Sequence, residues 1–176
     1  MHVVRPFTHP RGGEDEQIQR TDICIVTPLA GRAHPQIRKV IGDFINLVPL
    51  RVHDVNKMNN RELVSTVNEL VAEATRHQEE QFDRVIDEIG LPFLADRNPL
   101  TGFSLNYMPQ GGSGDPCSNR HSDRGYKLKY DMLFLVRHFT DALNVEIQYR
   151  AGLFSADCIE MIFNHFETCL SEVCHD

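Results

Sequence analysis

Two short apolar runs, Ile23–Val26 and Phe44–Val52, flank a stretch punctuated by Gly31 and Gly42, and this arrangement restricts the fold more than any other part of the chain. The first run, Ile23-Cys24-Ile25-Val26, is mostly β-branched and bounded by Asp22 and Pro28, which predicts a buried strand. Pro35 suits a first helical turn, so a short helix is expected through Val40, ended by Gly42. Phe44 to Val52 returns as a second strand. It carries two residues that a plain core strand rarely needs together. Asn46 is polar inside an apolar run and needs a partner. Pro49 would cost a central strand one ladder hydrogen bond.

Asn59, with Glu62 three residues later, makes a capping-box pattern at the start of a long helix. Leu63, Val67, Leu70 and Ala74 fall on one face at helical spacing. The pattern breaks near His77 and resumes at Phe82, Val85, Ile86 and Ile89. Two consecutive helices, or one with a break, should end at Gly90 and Pro92. Phe103, Leu105 and Tyr107 alternate with smaller or polar residues, as in a strand. Residues 109–125, rich in glycine, serine and charge, form a loop long enough to suggest function or disorder. Tyr126–His138 and Leu143–Tyr149 read as an antiparallel pair joined near Thr140-Asp141. Ser155 caps a last helix whose buried stripe is Ile159, Ile162, Phe163, Phe166, Leu170 and Val173. Residues 1–20 read as an irregular lead-in, and 21–176 as one domain.

The order β-α-β-α-α-β-β-β-α predicts an α/β (α+β) two-layer sandwich, a mixed sheet backed by helices on one face. A doubly wound nucleotide fold would need regular βαβ units and a glycine-rich first turn. Gly111-Gly112-Ser113-Gly114 is followed by neither Lys-Ser/Thr nor a helix, so it is no phosphate cradle.

Composition narrows the function classes. The net charge of −7 lacks the basic footprint of a nucleic-acid binder. No apolar run approaches a membrane span, and the N-terminal stretch has no signal-peptide core, so a cytoplasmic protein is expected. Cys24, Cys117, Cys158, Cys169 and Cys174 are odd in number and form no C-x-x-C pair, which points to free thiols. The histidines lack metal spacing such as H-E-x-x-H, so no metal site is expected. His77 reads as a cap or core histidine, and Glu79, Glu80 and Asp83 as a solvated helix face.

Several motifs occur in a familiar order. Thr27-Pro28-Leu29-Ala30-Gly31-Arg32 is followed by Gly42-Asp43-Phe44-Ile45-Asn46 and then Pro49-Leu50-Arg51. His77-Gln78-Glu79-Glu80-Gln81-Phe82-Asp83, Arg97-Asn98-Pro99-Leu100, Tyr130-Asp131-Met132, Glu146-Ile147-Gln148-Tyr149 and Leu153-Phe154 come after them. The set resembles the C-terminal half of the condensation domains of non-ribosomal peptide synthetases, from about Asp22 to Val173. The family's Tyr and Pro are absent from the His77 element. Phe93-Leu94 replaces the Arg-Asp that usually opens the Arg97 motif.

The resemblance implies one of two chloramphenicol-acetyltransferase-like lobes that form a V around a tunnel. It implies amide-bond formation between acyl and aminoacyl thioesters carried on the phosphopantetheine arms of carrier proteins. The catalytic signature H-H-x-x-x-D-G belongs to the other, N-terminal lobe and occurs nowhere in this chain. The nearest look-alike, His138-Phe139-Thr140-Asp141-Ala142, reads as a hairpin end. No catalytic residue, no metal and no directly bound cofactor is therefore assigned. The implied partners are an N-terminal lobe, in cis or in trans, and peptidyl or aryl carrier proteins. Asn46, Arg51, Arg97 and Asn98 are the candidates for lining the tunnel and positioning substrate. Structural roles stand beside these: Asn98 setting a turn before Pro99, Arg97 pairing with a carboxylate. Two other readings remain open, a carrier-docking scaffold without catalysis and a lobe of an epimerisation or heterocyclisation domain.

Overall fold

The computed structural model describes residues 22–32, 34–90, 100, 102–109 and 130–175. The expected lead-in, nearly all of the 109–125 loop, residues 126–129, Phe93-Leu94, Arg97 and Asn98 lie outside the described residues.

Among the described residues, five strands and three α-helices follow in the order β1 (Ile23–Leu29), β2 (Asn46–Val52), α1 (Asn60–Arg76), α2 (Phe82–Ile89), β3 (Phe103–Pro109), β4 (Met132–His138), β5 (Leu143–Tyr149) and α3 (Ala156–His175). The strands form one mixed sheet in the order β2-β1-β3-β4-β5. The outer pairs β1–β2 and β4–β5 are antiparallel, and β1–β3 and β3–β4 are parallel. The mixed sheet backed by helices is as the element order predicts.

Edge position explains Pro49. It sits on β2, at the sheet's margin, opposite Val26 of β1. A missing N–H is tolerated on a strand with one neighbour. Pro28 lies on the interior strand β1, two residues beyond the point where Val26 meets Ser104 of β3, and its antiparallel partner is Leu47.

The helix starts follow their caps. The Asn59 side chain accepts from the Glu62 amide at 2.9 Å, and Glu62 Oε2 accepts from the Asn59 amide at 3.0 Å. A cap of this kind is worth about 1 kcal/mol. Ser155 Oγ accepts from the Cys158 amide at 3.2 Å and opens α3. His77 closes α1, its amide bonding the Glu73 and Ala74 carbonyls. Gly90 ends α2 in the left-handed conformation at φ 68°.

Strand alternation assigns the faces. Phe103, Leu105, Met132, Phe134, Val136, Val145, Ile147 and Tyr149 share one face by register. α3 lies against it, with the Phe134 and Phe166 rings 5.7 Å apart. The other face carries Val26 and Leu47, which pack with Phe82 and Ile86 of α2 and with Leu100. The short α2 thus covers the β1–β2 end of the face away from α3, an addition to the single helical layer expected. Val26 is wholly buried there.

Four expectations need correction. The helix from Pro35 is a single 3₁₀ turn, Pro35–Ile37, and does not reach Val40. The Ile37 carbonyl accepts from both the Val40 amide, at 3.1 Å, and the Arg32 guanidinium, which also takes the Val40 carbonyl. The second strand begins at Asn46, not Phe44, because the Asp43 carboxylate accepts from the Ile45 amide at 3.0 Å and holds a turn. The stripes of α1 and α3 are half-buried and Val173 is exposed. A helix laid on one sheet buries only its line of contact. Ile23, at the start of β1, is also exposed, so the first strand is fully buried only at Val26.

Candidate functional site

The β1–β2 connection is built around Arg32. Its Nη1 donates to the Ile37 and Val40 carbonyls at 2.9 and 2.8 Å, and its Nη2 to the Gly42 carbonyl at 2.7 Å. The same guanidinium lies 4.6 Å from the Phe44 ring centroid, within cation–π range. Gly31 makes the approach possible. It adopts φ +62°, and a Cβ there would sit 1.9 Å from the Phe44 carbonyl oxygen. The Gly-Arg pair of the first motif is therefore a clasp that folds the loop onto its own carbonyls. Arg32 was legible as part of that motif, but nothing in the sequence says which carbonyls it gathers.

Asn46 has no free hydrogen-bonding capacity. Its Nδ2 donates to the Gln78 carbonyl at 2.9 Å and to the Glu80 carbonyl. Its Oδ1 accepts from the amides of Leu47 and Phe82, at 3.0 and 3.3 Å. A primary amide offers two donors and two lone pairs, and all four are used. Asn46 ties the start of β2 to the turn between α1 and α2. The polar residue inside an apolar strand finds its partners 32 to 36 positions away, within the His77–Asp83 motif.

Arg51 lies five positions further along β2 and so on the opposite face, about 17 Å away at strand rise. Its Nη2 donates to Asp22 Oδ2 at 2.7 Å, and His53 Nδ1 lies 3.1 Å from the same oxygen. The hydrogen bond from Arg51 holds the Asp22 carboxyl below the usual carboxylate range. Burial opposes this, while the Asp54 amide and the charges of His53 and Arg51 assist it. Cys24 pairs with Arg51 across the strands; burial pushes its thiol above the usual range and the Arg51 charge partly offsets that. Asn46 and Arg51 are not brought together, and Arg97 and Asn98 lie outside the described residues.

The β3–β5 half of the α2-bearing face carries polar side chains beside Met108, Leu133 and Leu135. Ser104, Asn106, Arg137, Asn144, Glu146 and Gln148 share it by register. Arg137 is 7% exposed. Its Nη1 donates to Asn144 Oδ1 at 3.1 Å and to Glu146 Oε2 at 3.3 Å, and Gln148 Nε2 holds the other Glu146 oxygen at 2.7 Å. Ser104 is fully buried and its hydroxyl has no hydrogen-bond partner among the described residues. Asp131 pairs with Arg150 at 3.3 Å, and its amide bonds the Gly102 carbonyl, joining the starts of β3 and β4 to the end of β5. At the far end of the parallel strands the Tyr107 hydroxyl meets His138 Nδ1.

His138–Ala142 is the β4–β5 hairpin end, with the Phe139 amide on the Ala142 carbonyl at 2.8 Å. Among the described residues no group of three or more His, Cys, Asp or Glu side chains is placed to hold a metal. No described helix is long and apolar enough to cross a membrane. Cys24, Cys158, Cys169 and Cys174 are free.

The motifs thus converge on particular contacts: the clasp, the Asn46 tie, and the Asp131 and Glu146 pairs. A family model for the condensation domain matches residues 16–176. The chain belongs to the condensation-domain family. Among curated relatives, it is 30% identical over 165 residues to bacitracin synthase 2 of Bacillus licheniformis, covering 88% of this chain and 6% of that protein. It is 28% identical over 160 residues to surfactin synthase subunit 1 of Bacillus subtilis (strain 168), covering 88% of this chain and 4% of that one. The chain therefore spans a small fraction of the length of these relatives. Among solved structures, a four-domain nonribosomal peptide synthetase bound to AMP and glycine superposes with a TM-score of 0.74 at 21% identity, over 89% of this chain and 13% of that one. The first condensation domain of the CDA synthetase superposes with a TM-score of 0.66 at 18% identity, over 89% of this chain and 35% of that one. At these identities the structural likeness establishes the condensation-domain fold alone.

Proposed function

We propose that this chain is the C-terminal lobe of a condensation domain and contributes to amide-bond formation in non-ribosomal peptide synthesis. The observation that carries the reading is the match to the condensation-domain model over residues 16–176, with its motifs meeting in the folded lobe. The proposed substrates are an acyl or peptidyl thioester and an aminoacyl thioester, each on the phosphopantetheine arm of a carrier protein. The acceptor nitrogen attacks the thioester carbonyl, a C–N bond forms, the C–S bond breaks, and the amine proton ends on the released thiol. Holding two tethered reactants together removes much of the translational and rotational entropy from the barrier.

This chain lacks the H-H-x-x-x-D-G signature, so its own part is positioning, and the proton-accepting histidine comes from an N-terminal lobe. Arg51, Arg97 and Asn98 remain the candidates for lining the tunnel. Asn46 acts from behind it, by fixing β2 against the α1–α2 turn. The cytoplasm, where carrier-bound substrates are made, is the proposed compartment.

The test is reconstitution. The purified chain with loaded donor and acceptor carriers should form no dipeptidyl thioester, and addition of an active N-terminal lobe should restore it, read by intact-protein mass spectrometry. Turnover by the chain alone would sink the proposal. A lobe that binds carriers and never supports turnover would instead be a docking scaffold. The departures within the His77 element, at Glu80-Gln81, and at Phe93-Leu94 favour that second reading.

A further inference from the structure

We draw no further inference here: the strongest candidate, the groove along the exposed side of α3 lined by Asp157, Glu160, Met161, Asn164, His165 and Thr168, is a helix face with nothing in the structure to show what covers it.

Discussion

Around Arg32 every guanidinium bond goes to a backbone carbonyl five to ten residues away, and the charge stays at the surface. Around Arg137 the bonds go to side chains on the neighbouring strand, Asn144 and Glu146, and the charge is buried. The first arginine shapes a loop that has no regular structure of its own. The second fills a place in a finished sheet, where a carboxylate offsets the cost of burying its charge. One therefore acts through geometry and tolerates solvent, while the other acts through charge compensation and cannot lose its partner.

That contrast is most sharply tested at Glu146. Glu146→Ala leaves a buried guanidinium with only Asn144 among the described residues, and breaking a buried pair from one side should cost about 3 kcal/mol. In a chain of this size the melting temperature should drop roughly 6–12 °C by calorimetry. Little change would mean that Arg137 is solvated in solution and that the two arginines differ less than their geometry indicates.

Asn46→Ala comes next. It orphans the Gln78 and Glu80 carbonyls and the Phe82 amide at once, in a half-exposed setting, and should cost about 2 kcal/mol. Amide exchange in α2 should rise more than in β4. A uniform loss across the chain would mean that Asn46 supports the whole core and not only the α1–α2 turn.

Arg32→Lys sharpens the other side of the comparison. The charge remains, but a single ammonium cannot fork to three carbonyls or stack as a plane on Phe44. Global stability should fall by about 1 kcal/mol or less. Amides from Val40 to Ile45 should lose protection, read by hydrogen exchange.

The smallest effect is electrostatic. The Asp22 carboxyl is held low by Arg51, so its stabilising contribution is fully present above the unfolded-state value near pH 4. That contribution is lost as the pH falls through the lower folded-state value. Asp22→Asn should therefore flatten the acid limb of the stability profile below about pH 4 and leave the profile near pH 7 with the same slope. An unchanged acid limb would mean that Asp22 is unpaired in solution.

Much of this lobe was legible from local chemistry. The capping box at Asn59 and Glu62, the break after His77, the Ser155 cap and the β4–β5 hairpin are all short-range signals, and all are present. Elements failed at their edges where a neighbouring side chain took a backbone group: β2 was trimmed by Asp43, whose carboxylate holds the Ile45 amide two residues on. Asn46 marked itself as needing a partner, yet the partners lie in another motif and could not be named in advance. Arg51 is positioned by Asp22, which sits 29 residues earlier and reaches it only because β1 and β2 pair in register.

What the sequence by itself determined was the order of elements, the family and the absence of its own catalytic histidine motif, because these depend on residue identity and spacing along the chain. The tertiary structure alone decided what each polar side chain does. Strand alternation placed Asn46 and Arg51 on opposite faces, register gathered Arg137 with Glu146, and the Gly31 turn brought Arg32 onto three carbonyls. Those outcomes depend on which backbone groups come within about 3 Å of one another, and chain separation carries no information about that distance.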